Sequence, residues 1–279
     1  MRITSWNLLH GLAMPPRESA ATTEELAQSL AVSVKKLNPD VIGVQEVDYY
    51  LARSGNINQV ANVAAALGAR DWAFAPSVIG SPEADWIGTN AAHKRIVTNK
   101  DSQADPQFRA AAGYGIGMVS TLPVKSWHRV ELRRSPVGVF MTFPVNGKMT
   151  KVYVQDHPRS ALACVLENGW MIINTHLSFV PGVNIFQIAK IKRWIKKLPV
   201  KNKQKILIMG DMNLPWDGLI KGLNWNSVAK QKTYPSWNPK LQLDYFLSLK
   251  VASEDVQHQI PIHDGMSDHL PLTIDVDVD

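Results

Sequence analysis

Six stretches of this sequence end an apolar run in asparagine, aspartate, glutamate or histidine. They are Ser5-Trp6-Asn7, Val44-Gln45-Glu46, Asn174-Thr175-His176, Gly210-Asp211-Met212-Asn213, Leu243-Asp244-Tyr245 and Ser267-Asp268-His269. Carboxylates, carboxamides and imidazoles are the groups that hold a hard cation, take a proton from water and donate to phosphoryl oxygens. Taken singly, each is also what a strand cap or turn looks like. Gly-Asp-x-Asn alone reads as an Asx turn closing a strand. Six strand ends with the same chemistry read instead as one polar rim.

The elements that carry these residues follow from hydrophobic periodicity. Ile206 to Met209 is a short run of the kind buried on both faces of a sheet. If the backbone stays extended past Gly210, Asp211 and Asn213 project to the same side. Strands are expected at residues 2–7, 41–44, 72–74, 114–120, 137–143, 152–154, 160–166, 171–177, 243–249, 256–260 and 270–278. Thr22 and Glu25 have capping-box spacing ahead of a helix whose stripe is Leu26, Leu30, Val34 and Leu37, ended by Asn38-Pro39. A second helix runs from about Asn58 to Leu67 and stops at Gly68. A third, basic one covers about Val183 to Leu198. Residues 79–112 lose periodicity and read as a long surface insertion. Gly115-x-Gly117 has no helix after it, so its glycines serve close packing. With no repeat or linker, residues 1–279 read as a single domain, an α/β sandwich with sheets inside and helices outside.

The ordered set Trp6-Asn7, Gln45-Glu46, Asn174-Thr175-His176-Leu177, Gly210-Asp211-Met212-Asn213, Leu243-Asp244-Tyr245 and Ser267-Asp268-His269 resembles the endonuclease/exonuclease/phosphatase superfamily, the DNase I-like group. The resemblance runs from Ile3 to Ile274. Thr233-Tyr234-Pro235 is also similar to small bacterial members. The resemblance implies a four-layered α/β sandwich, two stacked mainly antiparallel sheets flanked by helices, and Mg²⁺-dependent cleavage of a phosphoester, with Mn²⁺ as a substitute. Glu46 is the expected metal ligand, with Asp268 and Asn7 beside it. His176, Asp211, Asn213, Asp244 and His269 are the expected catalytic set. Asn7, Arg159, His176 and Asn213 are expected to bind substrate phosphate. Asp244 would orient His269, and either Asp211 or His269 would be the general base. The strand Tyr114–Ser120 departs from the family in lacking an asparagine that many members carry there.

Composition narrows the rest. The chain has 279 residues, 45% hydrophobic and 19% charged, enough to bury a core without staples. Its one cysteine, Cys164, lies in an apolar strand, so no intramolecular disulfide exists, which fits a reducing compartment. Scarcity of cysteine and absence of HExxH argue against zinc. His263-Asp264 beside Asp268-His269 is an alternative transition-metal cluster. There is no signal-peptide pattern and no apolar run long enough to span a bilayer; a cytoplasmic monomer is expected, and no protein partner is inferable. The net charge of +6 and the lysines from Lys190 to Lys205 favour a polyanionic partner, and Trp216, Trp225 and Trp237 could stack bases or touch lipid. A nuclease acting on DNA or RNA leads. A hydrolase of a phospholipid head group, inositol phosphate or small phosphodiester is the alternative, and a non-catalytic binding protein on the same fold is a third.

Overall fold

In the computed structural model, residues 1–277 are described except 16–21, 91–92, 94, 102–111, 146–147, 200–201, 203–204, 217, 222–223, 252, 260 and 262. In chain order the strands are β1 (Arg2–Asn7), β2 (Val41–Tyr49), β3 (Asp71–Gly80), β4 (Trp86–Gly88), β5 (Val97–Thr98) and β6 (Gly113–Ser120). Next come β7 (Val124–Leu132), β8 (Val139–Val145), β9 (Lys148–Val154), β10 (Arg159–Leu166), β11 (Met171–His176) and β12 (Ile206–Asp211). The last are β13 (Asn226–Ser227), β14 (Asp244–Ser248), β15 (Val256–His258) and β16 (Leu272–Val276). The first sheet has the order β15-β16-β1-β2-β6-β3-β4, with β5 also on β3; the second has β13-β14-β12-β11-β10-β7. β8 and β9 form a separate ribbon.

Period-two alternation decides which face each side chain serves. Leu207 and Met209 face the first sheet, joining Ile3, Val41 and Ile116 in the central core, while Ile206 and Ile208 turn outward. That outward face meets Ile188, Ile191 and Ile195 of α3 (Val183–Ile195). On the far side, α1 (Thr23–Leu37) and α2 (Gln59–Leu67) cover Ile42, Val44 and Phe74 with Leu30, Val34, Val60 and Val63. Three apolar interfaces between four layers make the expected sandwich. The capping box of Thr22 and Glu25 is formed, and Asn38 and Gly68 end their helices in the left-handed conformation.

Each sheet contains one parallel pair: β1 with β2, linked by α1, and β11 with β12, linked by α3. Every other pairing among the described residues is antiparallel. The strands of a parallel pair run the same way, so Asn7 at the end of β1 and Glu46, just past the last β1–β2 pair, come to the same side of the first sheet, as His176 and Asp211 end their strands together in the second. The two sheets are locked at this level by Asn174. Its Nδ2 crosses to the carbonyls of Val44 and Gly117 at 3.0 and 2.8 Å, and its Oδ1 accepts from Gln45 at 2.6 Å. Gly43 makes room for this: a Cβ there would lie 2.4 Å from Met209 and 2.8 Å from Asn174.

Several expectations change. β7 was not foreseen: it is an edge strand, and Val124–Leu132 alternates charged and apolar residues without a continuous run. The stretch 79–112 opens inside β3 and carries β4 and β5; its residues 91–92, 94 and 102–111 lie outside the described set. Trp225 is buried in the core, whereas Trp216 and Trp237 are 64% and 45% exposed. The lysines follow α3 toward the start of β12, the edge opposite the rim. At 1.5 Å per residue, that end lies roughly 20 Å from the helix start that touches the site. Lys201 and Lys203 lie outside the described residues. No helix among the described residues is long and apolar enough to cross a membrane.

Candidate active site

The residues singled out in the sequence meet along one rim between the sheets, although Glu46 lies within its strand, because β2 runs on to Tyr49 instead of stopping at Val44. Asp211 is central and buried. Gly210, at φ +141°, lets β12 pass beneath the Thr175 carbonyl, where a Cβ would stand at 1.8 Å. The chain does not stay extended beyond it. Asn213 turns to φ +49°, and its N–H donates to Asp211 Oδ1 at 2.9 Å. The Asx turn is therefore real, and it occupies one carboxylate oxygen. The other, Oδ2, faces the rim: Asn7 Nδ2 donates to it at 3.0 Å, with His176 Nε2 at 3.6 Å and His269 Nε2 at 3.7 Å.

Glu46 reaches the rim by a different device. The β2–β6 register slips between Gln45 and Val47, leaving Glu46 as the extra residue of a bulge at φ +52°. Bulges re-aim a side chain that strict alternation would send the other way. The carboxylate stays 22% exposed and accepts from Asn7 Nδ2 at 3.0 Å through Oε1. Asn7 thus bridges Glu46 and Asp211, and its own Oδ1 accepts from the Leu9 N–H at 3.1 Å. Ser267, a third left-handed residue at φ +59°, donates to the Asn7 carbonyl at 2.6 Å and accepts from the His269 N–H at 3.1 Å. Left-handed non-glycine residues cost roughly 1–3 kcal/mol each, and such costs collect at functional sites.

The two imidazoles have opposite surroundings. Burial alone disfavours a charged His269, but Asp244 at 2.8 Å and Asp211 outweigh it and push the ring up to about 10. His176 is buried too and is pulled well below its usual value, by desolvation first and then by Arg159, His157 and His269. Arg159 Nη1 lies 3.0 Å from both of its ring nitrogens, and Asn213 Nδ2 lies 3.3 Å from Nε2. Arg159 is a buried residue, held 3.7 Å from the fully buried Asp156. Burial raises Asp211 to about 7; Asp244 adds to this, while His269, the Asn213 N–H and Asn7 oppose it. Asp268 is half-buried, which raises it as well.

Two donor sets could hold an ion. Asp211, Asp244 and His269 offer ligand atoms within 4.8 Å of one another. Both ring nitrogens of His269 already face carboxylates, however: Nδ1 shares a charge-assisted hydrogen bond with Asp244 at 2.8 Å, and Nε2 stands 3.7 Å from Asp211 in an ion pair. Glu46 and Asp268 are oxygen donors, and the solvent-open side of Glu46 leaves space for retained waters, the preference of a hard cation. His263 is exposed and turns to the Met14 carbonyl at 3.0 Å, away from any such set.

Sequence reasoning gave no role to four contributors, although Gln45, Asn174 and Tyr234 stand inside the stretches it singled out. Asn174 and Gln45 join the sheets. Asp156 anchors Arg159 while accepting from Ser135 N and Ser178 Oγ at 2.6 and 2.8 Å. Tyr234 packs on His269 with ring centres 5.1 Å apart. Asp156-His157 stands directly before a strand, the same signal that flagged the others.

Stacked mixed sheets with a carboxylate, amide and imidazole rim define a DNase I-like phosphoester hydrolase. The chain belongs to the Endonuclease/Exonuclease/phosphatase family, which it matches over residues 4–269, and this family generally depends on a divalent metal. Among curated proteins no sequence matches it. Its fold is similar to a family protein from Leptotrichia buccalis, at TM-score 0.59 and 16% identity, covering 99% of each chain. It is also similar to the catalytic domain of human Nocturnin (0.56, 17%, covering 98% of this chain and 92% of that one). A third likeness is to a mannosyl-6-phosphatase from Bacteroides thetaiotaomicron (0.54, 14%, covering 99% and 98%).

Proposed function

We propose that this protein is a Mg²⁺-dependent phosphodiesterase that cleaves nucleic acid, with Asp211 as the general base. The observation that carries the reading is the rim-facing oxygen of Asp211, oriented by Asn7 and set between a charged and a neutral imidazole. A carboxylate raised to about 7 by burial takes a proton from water near neutral pH. His269, with both ring nitrogens on carboxylates, is already protonated, so it serves as a cation beside the forming charge and is not the base. The water oxygen attacks phosphorus, its proton passes to Asp211 Oδ2, and the bond to the departing ester oxygen breaks.

His176, Asn213 and Arg159 receive the phosphoryl oxygens. Their donors converge where negative charge grows, in a buried setting in which each donor counts for more than in water. Glu46 and Asp268 would hold Mg²⁺, with Mn²⁺ as a substitute, while Asn7 fixes Glu46 and joins the phosphate contacts. The ion, when bound, neutralises the phosphoryl group and lowers the barrier to attack.

A panel of oligonucleotides, bis(p-nitrophenyl) phosphate and phosphomonoesters tests this, run with Mg²⁺, with Mn²⁺ and with EDTA, beside Asp211→Asn. Oligonucleotide cleavage that needs the metal and vanishes in Asp211→Asn is expected. Hydrolysis of the small diester with none of DNA or RNA, at low salt, would assign the site to another phosphoester.

A further inference from the structure

Arg133 and Arg134 lie just past the end of β7, and Trp86 begins β4, so they sit where the outer edges of the two sheets reach the rim. Arg159 pairs with Leu132 across β10 and β7, which fixes Arg133 and Arg134 beyond the rim on the Arg159 side. Gly80 pairs with Trp86 and Ile79 with Gly113, which brings the indole to the corresponding end of the first sheet. The corner is closed across the gap: the Arg134 guanidinium lies 5.4 Å from the Trp86 ring centre, and its Nη1 donates to the Asp156 carbonyl at 3.4 Å.

The floor between this corner and the catalytic residues is continuous. Trp86 meets His157 edge-on at 6.4 Å, and His157 meets Tyr114 at 5.4 Å. Asp156, whose carbonyl takes Arg134, holds Arg159 against His176. Burial comes first in holding His157 below its ordinary range, so it adds ring surface without charge. Arg53, which also lies over Tyr114, is taken by Asp48 and Glu83. Arg133 and Arg134 are exposed, and among the described residues no carboxylate pairs with either.

We infer that this corner is a subsite for the nucleotide flanking the scissile phosphate: Trp86 stacks its base, and Arg133 and Arg134 take its phosphate. The inference rests on the nucleic-acid reading of the site. An indole backed by a guanidinium offers a flat, sequence-tolerant platform. Arginines beside it that have no carboxylate partner match the next charge of a polyanion. These arginines, and not the distant lysines of α3, are the basic group in line with the catalytic residues.

Binding of fluorescein-labelled (dT)₈ by anisotropy in EDTA, across a salt series, reads the two roles separately. Trp86→Ala is expected to weaken binding about tenfold, within the range for loss of one base stack, with an unchanged slope of log affinity against log salt. Arg134→Gln is expected to weaken binding and make that slope shallower by about 0.7, the value for one phosphate contact on a single strand. With Mg²⁺ present, the parent should prefer tetranucleotides to dinucleotides in kcat/KM, and both variants should flatten that preference. Trp86→Leu and Arg133→Gln give the same readouts should Trp86→Ala unfold in a thermal melt. Variants that bind with parental affinity and slope would overturn the subsite while leaving nucleic-acid cleavage standing. Cleavage of bis(p-nitrophenyl) phosphate with no (dT)₈ binding by the parent would remove the nucleic-acid reading, and the subsite with it.

Discussion

His176 and His269 stand on either side of one carboxylate oxygen, 3.6 and 3.7 Å from Asp211 Oδ2, and both are buried. Burial alone would neutralise each of them. What separates them is the charge behind the ring. His269 has Asp244 at its back and is kept charged; His176 has Arg159 and is kept neutral. Each partner comes from the strand next to the one that ends at the rim: Asp244 opens β14 beside β12, and Arg159 opens β10 beside β11. His176 thus takes its state from a neighbouring strand of its own sheet, whereas His269, which precedes β16 in the first sheet, takes it from β14 of the second; desolvation reinforces the neutral His176 and opposes the charged His269.

Removing the shared oxygen should have the largest effect. Asp211→Asn is expected to lower kcat by about 10³-fold or more while the thermal melt stays cooperative, since a positioned base contributes up to about 10⁴. A tenfold loss would mean that the proton goes elsewhere. Next, Asp244→Asn takes away the charge that holds His269 protonated. A fall of about 10²-fold in kcat is expected, with activity declining at lower pH than in the parent; an unchanged pH profile would break the pairing.

The two rings should titrate in opposite directions. In metal-free protein, proton NMR should show His269 keeping its proton until about pH 10, and His176 staying neutral well below the pH at which an ordinary imidazole takes its proton. The stability consequences follow. The His269 contribution is complete below its unfolded value near 6.5 and is lost as pH rises through about 10, whereas His176 disfavours the folded state as pH falls below 6.5. Asp211, raised from its ordinary value to about 7, makes stability fall as pH climbs from about 4 to 7. Denaturant midpoints in EDTA should therefore drop between pH 7 and 10 for the parent, and less steeply for Asp244→Asn.

On the other side, Arg159→Gln should bring His176 back toward its ordinary range and weaken phosphate contact, for a loss of about 10- to 100-fold in kcat/KM. The smallest change is expected at Tyr234. Tyr234→Phe keeps the ring on His269 and should alter kcat less than threefold, while Tyr234→Ala should cost about tenfold; equal losses would place the role in the hydroxyl.

Much of this was legible in the sequence because it depends on local pattern. Continuous apolar runs gave the central strands, and polar groups at their ends gave the rim. Capping spacing and left-handed stops gave α1 and α2. The remainder depends on contacts between distant segments. Edge strand β7 keeps a half-polar face, so no run announces it. Extended geometry would have placed Asn213 alongside Asp211, but the Asx turn folds it back toward His176. Nothing around Glu46 signals a bulge, since the extra residue exists only relative to β6. A charge count could not tell that the lysines of α3 point away from the site, and Trp225 looks like Trp216 until packing separates them.

Asn174 carries one more consequence. It ties the two sheets by donating to main-chain carbonyls, which every residue type supplies. On β2 the joint constrains two residues, Gln45, which completes the hydrogen bonds of the amide, and Gly43, which has to stay without a Cβ, while Val44 supplies only its carbonyl. The spacing between Glu46 and Asp211 therefore hangs on one amide, one glutamine and one glycine more than on the apolar layers around them.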